Sequence, residues 1–184
     1  MTSNILNADN ALLLIIDIQE KLLPAQGKPE KMEKNIGILA LAANILNIPT
    51  IVSEQYPKGL GPTVASIKEK LPMDAKYFEK TAFSCVQEEG FLELLKSYNR
   101  KQIIVCGMET HICVHQTVND LLKEGFEVHV IQDAVSSRDK YEYKRGIERM
   151  GSDGAVLTCL ETALFEMLRS AKHPQFKVIQ ALIK

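Results

Sequence analysis

The chain has 184 residues, a formal net charge of −1 and a charged fraction of 24%. This length suits one domain with a sizeable core, and the hydrophobic fraction of 46% is ordinary for a globular protein. Lysines and arginines are dispersed among glutamates, which argues against the basic surface of a nucleic-acid-binding or anionic-membrane-binding protein. We therefore expect a single domain over residues 1–184, whose partners are neither nucleic acid nor membrane.

The N-terminal sequence predicts no targeting or membrane segment. No basic region precedes an apolar stretch, and the first apolar run, residues 11–16, is too short for a signal core or a membrane span. The four cysteines are scattered and form no CxxC pair, which disfavours a disulfide scaffold. These features predict a cytoplasmic protein in which Cys106 and Cys159 behave as small buried hydrophobic residues.

Apolar runs alternate with helix-like segments along the chain. The apolar runs predict strands at residues 11–17, 49–53, 77–80, 102–106, 127–132 and 155–159. Amphipathic spacing predicts helices at residues 30–47, 88–98, 114–124, 141–150 and 161–169. We also expect a loop at residues 56–62, a short helix ending at Lys70 and a helical piece after Pro174. This alternation predicts a three-layer α/β/α sandwich around a central, mainly parallel six-stranded sheet.

Candidate catalytic residues follow the strands of this sheet, where parallel sheets bind ligands. Asp17 ends the first strand, Lys80 ends the third, and Cys113 lies near the start of the helix after the fourth. A helix N-terminus and a lysine stabilise a thiolate, so we expect a lowered pKa for Cys113. A nearby aspartate can take the thiol proton and return it to a leaving group. Together these groups suit acyl transfer through a thioester.

Three segments resemble the isochorismatase-like cysteine hydrolases: DIQEKL from Asp17, FEKTAFS around Lys80, and residues 107–138. The likeness runs from residue 12 to residue 184. The segments EQYPKGLGPT and HPQFKVIQALIK are similar to the isochorismatase-domain-containing branch, which is related to nicotinamidases and N-carbamoylsarcosine amidases. The resemblance implies a Rossmann-like topology and a catalytic triad of Asp17, Lys80 and Cys113.

The resemblance also implies further features of the site and of the assembly. It implies a cis peptide bond between Met108 and Glu109, with the amides of Glu109 and Cys113 forming an oxyanion hole. It implies a homo-oligomer, a dimer or a larger assembly. The apolar segment at residues 176–183 packs either onto a neighbouring subunit or onto its own core, and the sequence leaves both alternatives open.

Residues beside the triad are expected to line the substrate pocket. They follow the first two strands or directly precede the cysteine: Gln19, Glu54, Gln55, Tyr56, Thr110, His111 and Ile112. Nicotinamidases carry an acid-and-histidine metal motif after the second strand, whereas residues 53–57 here read SEQYP, without histidine. We therefore expect no catalytic metal, no cofactor and a substrate other than nicotinamide. A site made by His111, Cys113 and His115 is disfavoured, because the cysteine points away from the helix face that the two histidines share.

Three functions remain open from the sequence. The first is a cysteine-dependent hydrolase acting on C–N bonds, other than peptide bonds, of a small amide-like substrate. The second is a vinyl-ether hydrolase of the isochorismatase kind, which needs the acid more than the thiol. The third is a non-catalytic scaffold or redox-sensing protein that retains a reactive thiol, although a scaffold has no need of Asp17 and Lys80.

Overall fold

A computed structural model describes residues 5–184 and arranges them around one six-stranded sheet. The strands are β1 (Ala11–Ile16), β2 (Thr50–Gln55), β3 (Lys76–Lys80), β4 (Gln102–Met108), β5 (Glu127–Ser136) and β6 (Val156–Thr158). The helices are α1 (Pro29–Ile45), α2 (Pro57–Leu60), α3 (Ala65–Lys68), α4 (Phe91–Ser97), α5 (His115–Lys123), α6 (Lys140–Ser152), α7 (Leu160–Leu168) and α8 (Phe176–Ala181). The predicted α/β fold and its six strands are confirmed.

The sheet is doubly wound. Its strand order is β3-β2-β1-β4-β5-β6, and every pair of neighbouring strands is parallel. The chain therefore starts in the middle of the sheet, builds outward to β3, and then returns to place β4 on the other side of β1. Ligands of such sheets bind where the winding direction changes, beyond the carboxyl ends of the strands. Here that point lies between β1 and β4.

Helices cover both faces of the sheet, which explains the unbroken apolar run in β1. Leu13 and Ile15 join the core beneath α1, α7 and α8, whereas Leu12, Leu14 and Ile16 join the core beneath α4, α5 and α6. All six residues of β1 are buried. A strand that is buried on both faces reads as continuous rather than alternating hydrophobicity.

The C-terminal helix packs onto the core of its own chain. Ile179 is fully buried, and Phe176, Leu182 and Ile183 lie against the same core. Val178 is exposed. Of the two placements that the sequence left open for this segment, the structure therefore has the intramolecular one.

Some local predictions were wrong. Strand β5 extends four residues beyond the predicted end, because after a register shift Val135 and Ser136 pair with the end of β4. The predicted loop at residues 56–62 contains the one-turn helix α2. Cys159 is exposed rather than buried, because β6 ends at Thr158 and the cysteine lies beyond the sheet at the start of α7. Cys106 is buried as predicted.

Gly107 allows β4 to lie against β1 immediately before the site. Its φ is +122°, and a Cβ atom there would lie 2.1 Å from the carbonyl oxygen of Ile16. That oxygen belongs to the rigid backbone of a central strand, so a side chain at residue 107 would push the two strands apart. The glycine thus sets the spacing between the strand that ends at Asp17 and the strand that leads to Cys113.

We expect Gly107→Ala to be far more destabilising than Gly154→Ala. Both glycines have a positive φ, +122° and +106°, but a Cβ atom at Gly154 meets nothing within 4 Å. The control Gly154→Ala should therefore lower the free energy of unfolding by only about 1–2 kcal/mol, the cost of a positive φ for a residue with a side chain. Gly107→Ala adds a clash with the backbone of β1, so it should lower the free energy of unfolding by more than about 4 kcal/mol or prevent folding. Denaturant unfolding of both variants measures this, and equal losses of stability would contradict the account.

Candidate active site

Asp17 and Lys80 form a buried ion pair at the carboxyl edge of the sheet. Asp17 follows β1, Lys80 ends β3, and β2 lies between them. The Lys80 Nζ atom lies 2.8 Å from Oδ2 of Asp17, and both side chains are 0% exposed. Buried charges are tolerated when they are paired and hydrogen bonded. The structure therefore joins two residues that are far apart in sequence, as the strand-end prediction anticipated.

Strand β2 supplies the second hydrogen bond to the Asp17 carboxylate. Ser53 Oγ donates to Oδ1 of Asp17 at 2.7 Å, so each carboxylate oxygen has one strong donor. The Asp17 amide in turn donates to the Ser53 carbonyl at 3.1 Å. The sequence analysis missed Ser53. The parallel register, which pairs Ile16 with Ser53, was the signal that could have found it.

Lys80 is held by four acceptors. Besides Asp17, its Nζ atom donates to Oε1 of Gln55 at 2.6 Å and to the carbonyls of Phe83 and Ala82 at 3.1 and 3.3 Å. Burial by itself lowers the pKa of Lys80. The negative charge of Asp17, together with that of the nearby thiols when ionised, outweighs burial, so the net pKa is raised above its ordinary value. Lys80 is therefore a permanent cation rather than a proton donor at neutral pH.

Cys113 is buried on a single π-helical turn, residues 110–114, that leads into α5. Burial raises the pKa of its thiol, the Asp17 carboxylate raises it further, and Lys80 only partly offsets the two. The expectation of a lowered thiol pKa was therefore wrong. It considered the helix start and the lysine but omitted the cost of ionising a thiol out of water beside a carboxylate. The raised pKa favours the protonated form of the Cys113 thiol.

A second thiol, Cys85, lies in the same buried region. Burial and the charge of Asp17 raise its pKa to about 11, while Lys80, Ser53 and Thr117 lower it in part. Its amide donates to Oγ1 of Thr117 on α5 at 3.0 Å. Sequence reasoning missed Cys85, because it belongs to a short turn after β3 that has no recognisable pattern.

Two residues that are expected to bind substrate also hold the chain together after β1 and β2. Gln19 donates to the carbonyls of Gln55 and Gly61 at 3.0 and 2.7 Å and accepts from the Gln55 amide at 2.8 Å. Glu54 Oε1 accepts from both the amide and the hydroxyl of Thr63. These contacts position the segment that leads to α2. Among the predicted pocket residues that follow β1 and β2, Tyr56 has the most exposed side chain, at 55%, and is therefore available to contact a ligand.

The segment before Cys113 is fixed by β5 and α6. The Met108–Glu109 peptide bond is cis. The Glu109 carboxylate accepts from the amide of Arg138 at 3.2 Å. His111 Nδ1 lies 2.9 Å from Oγ of Ser137.

Thr110 and Ile112 complete this segment. Thr110 is fully buried against α6, where Gly146 leaves room for it: a Cβ atom on that glycine would come within 3.0 Å of Thr110. Ile112 is half-buried and packs against the core beneath α5. Of the predicted pocket residues, Ile112 and His111 thus lie nearest to Cys113 in the chain and retain partial exposure.

Residues 5–184 contain neither a candidate metal-binding cluster nor a candidate membrane-spanning helix. Among residues 5–184, no group of three or more histidine, cysteine, aspartate and glutamate side chains is arranged to hold a metal ion. His115 was considered as a metal ligand in the sequence. In the structure its Nε2 atom lies 3.4 Å from Oδ2 of Asp153. Within the same range, no helix is long and apolar enough to cross a membrane.

Curated proteins similar to this chain carry isochorismatase names. The chain is 39% identical over 178 residues to isochorismatase domain-containing protein 2 of Danio rerio, which covers 97% of this chain and 89% of that protein. It is 37% identical to the secreted isochorismatase effector Isc1 of Phytophthora sojae, over 95% of this chain and 85% of that protein. The second name shows that relatives include a secreted protein.

Solved structures share the fold over almost the whole chain. The MAR1 ribonuclease of Caenorhabditis elegans has a TM-score of 0.92 and 40% identity, covering 97% of this chain and 91% of that one. YcaC of Pseudomonas aeruginosa, solved with hexane-2,5-diol and covalent acrylamide, has a TM-score of 0.92 and 28% identity, with coverages of 99% and 93%. YcaC of Escherichia coli, an octameric hydrolase of unknown specificity, has a TM-score of 0.88 and 26% identity, with coverages of 98% and 97%.

The family assignment follows from these likenesses together with the domain match. The isochorismatase domain matches residues 11–162, from the start of β1 into α7. That span contains all six strands and the residues Asp17, Lys80 and Cys113. The chain belongs to the isochorismatase family of hydrolases.

Proposed function

We propose that the protein is a cysteine-dependent hydrolase that cleaves the C–N bond of a small amide-like substrate through a thioester on Cys113. The observation that carries this proposal is the buried Lys80–Asp17 ion pair beside a buried thiol. Lys80 holds Asp17 as a carboxylate, and a carboxylate is the base that a thiol of raised pKa requires. The site then contains a nucleophile, a base and a fixed cation.

The first half-reaction forms the thioester. Asp17 accepts the proton of Cys113 as the sulfur attacks the carbonyl carbon of the substrate, and the carbonyl electrons move to the oxygen. We propose that the amides of Glu109 and Cys113 donate to this oxyanion. The intermediate collapses when the C–N bond breaks, and the proton held by Asp17 passes to the departing nitrogen.

The second half-reaction releases the acid. A water molecule occupies the place of the departed amine and loses a proton to Asp17 as it attacks the thioester carbonyl. The C–S bond breaks, the acid leaves, and Asp17 returns the proton to the sulfur of Cys113. Each proton that Asp17 accepts is given back within the cycle, so the reaction consumes only substrate and water.

A small substrate fits the site better than a polymer. Cys113 is only 7% exposed and lies within a turn that packs against α5 and α6, so a large substrate has little access to the sulfur. The name of the C. elegans neighbour refers to RNA, but the net charge of −1 here offers little attraction for a polyanion. The covalent acrylamide in the P. aeruginosa neighbour supports a nucleophile in this fold that reacts with a small electrophilic amide.

Vinyl-ether hydrolysis is the alternative that the family name keeps open. That reaction needs an acid that donates a proton to the substrate. Asp17 accepts hydrogen bonds on both oxygens, from Ser53 and Lys80, which is the arrangement of a carboxylate and not of a proton donor. We therefore favour the thioester route.

We further propose a cytoplasmic homo-oligomer. All four cysteines are free thiols, as expected in a reducing compartment. The octameric E. coli neighbour supports self-association in this fold. Phe165, which is exposed on α7, offers an apolar contact for such an assembly.

We expect Cys113→Ala to abolish hydrolysis of small amides, because the substitution removes the nucleophile. The loss should exceed about a thousandfold in kcat, in line with the removal of other catalytic nucleophiles. Cys159→Ala is the matched control, since Cys159 is exposed and remote from the ion pair, and it should retain full activity. The measurement is amide turnover over a panel of small primary and N-substituted amides. An active Cys113→Ala variant with an inactive Asp17→Asn variant would instead favour the vinyl-ether route.

Alkylation of Cys113 by iodoacetamide should respond in opposite directions to loss of the two charged partners. Its raised thiol pKa means little thiolate at neutral pH, so labelling of the wild type should be slow and should accelerate as the pH rises. Asp17→Asn removes a charge that raises this pKa and should speed labelling at neutral pH. Lys80→Met removes a charge that lowers it and should slow labelling further.

Peptide mass spectrometry reads each cysteine separately in this experiment. Exposed Cys159 in the same molecule provides the internal reference for reagent and folding. Circular dichroism tests whether each variant remains folded, and labelling is compared only between folded proteins. Changes of the same sign in the two variants, or rapid labelling of the wild type at neutral pH, would contradict the assignment of Asp17 as the base.

A further inference from the structure

A cavity of about 540 Å³ lies beyond the carboxyl end of β5, separate from the triad. Its walls come from the first turn of α1, the last residues of β5, the first turns of α6, and Cys159. Asp17, Lys80 and Cys113 do not line it. Its volume is within the range of small-molecule pockets, about 300–1,000 Å³.

Four lysines line this cavity. Lys28 and Lys31 are three residues apart at the start of α1, and Lys140 and Lys144 are four apart on α6, so each pair shares one side of its helix. Over residues 5–184, none of the four forms an ion pair. Like charges at these spacings repel one another, and an anion in the cavity would relieve that repulsion.

Little negative charge opposes these lysines. Asp133 is the one acidic side chain in the cavity lining, and its Oδ1 atom already accepts from the amide of Leu160 at 2.8 Å. No side chain caps the first turn of α1, so that helix contributes the partial positive charge of its N-terminus to the same cavity. The cavity lining therefore contains four lysines and one aspartate.

The remaining lining suits an apolar body with a polar anchor. Met32, Val135 and the ring of Tyr143 supply apolar surface, and the Tyr143 hydroxyl donates to the carbonyl of Gln132 at 2.8 Å, which fixes the ring. The buried residues Ser136 and Ser137 also belong to the lining, and Oγ of Ser137 is the atom that lies 2.9 Å from Nδ1 of His111. Such a mixture of a few polar groups among apolar ones is typical of sites for small organic molecules.

We propose that this cavity is a second binding site, which takes a small organic anion with a phosphate or carboxylate group and an apolar body. A second copy of the chain is a poorer occupant, because the same face on a symmetric partner would bring eight lysines together. Nucleic acid is also a poor occupant, since the four lysines border a single cavity instead of lining an extended track. The proposal is independent of the reaction at Cys113.

Isothermal titration with phenyl phosphate at low ionic strength tests this proposal. Phenyl phosphate carries both the charge and an apolar ring; benzyl alcohol keeps a similar ring without the charge, and inorganic phosphate keeps the charge without the ring. The cavity variant is Lys31→Glu with Lys144→Glu. The matched control is Lys172→Glu with Lys177→Glu, which makes the same change in net charge at exposed positions outside the cavity.

We expect the wild type and the control to bind phenyl phosphate equally, and the cavity variant to bind it at least about tenfold more weakly. Binding should be weaker for benzyl alcohol and for inorganic phosphate. No binding to the wild type, equal weakening in the two variants, or equal affinity for all three probes would overturn the proposal. Size-exclusion chromatography accompanies the titration, and dissociation of an oligomer in the cavity variant alone would assign this face to a subunit interface and overturn it as well.

Discussion

The ion pair between Lys80 and Asp17 is the interaction on which the rest of the site depends. Burying either charge without its partner would strongly destabilise the folded protein. Removal of one partner of such a pair commonly lowers the free energy of unfolding by about 3–5 kcal/mol. The pair spans three strands, because β3 carries the lysine and β1 leads to the aspartate. Strand β2 lies between them, and its Ser53 and Gln55 side chains add one hydrogen bond to each member of the pair. The geometry of the site therefore depends on the alignment of these three strands.

The state of the thiol follows from the same pair. Burial and the adjacent Asp17 side chain both raise the pKa of the Cys113 thiol, which favours the protonated form of that thiol. In the proposed mechanism, Asp17 removes the thiol proton only during the reaction, so no thiolate is formed beforehand. Redox-sensing cysteines are accessible and have a low pKa, so a buried thiol of raised pKa is poorly suited to that role. This distinction favours a hydrolase over a sensor.

The sequence predicted those features that follow from continuous patterns. The apolar runs revealed the six strands, and the strand ends brought Asp17, Lys80 and Cys113 together, since parallel strands share a carboxyl edge. Features that depend on contacts between distant segments were not predicted. Ser53 required the register of β1 against β2, and Cys85 required the fold of a short turn without periodicity.

The errors have a common physical origin. The thiol pKa was judged from the helix start and the lysine alone, whereas burial, which only the packed structure reveals, has the larger effect. Gln19, Glu54 and Gln55 stay predicted pocket residues, but the sequence did not show that their side chains bond backbone groups, Thr63 and Lys80. Polar residues at a sheet edge must first satisfy local hydrogen bonds, and a sequence does not show which of them remain free for a ligand.

Neutron diffraction from crystals at neutral pH tests the central claim most directly, since it locates the protons at the triad. The account predicts a proton on the sulfur of Cys113, none on either oxygen of Asp17, and three on Nζ of Lys80. A bare sulfur beside a protonated Asp17 would contradict it, because the thiolate would then be formed in advance and Asp17 would be an acid in the resting protein.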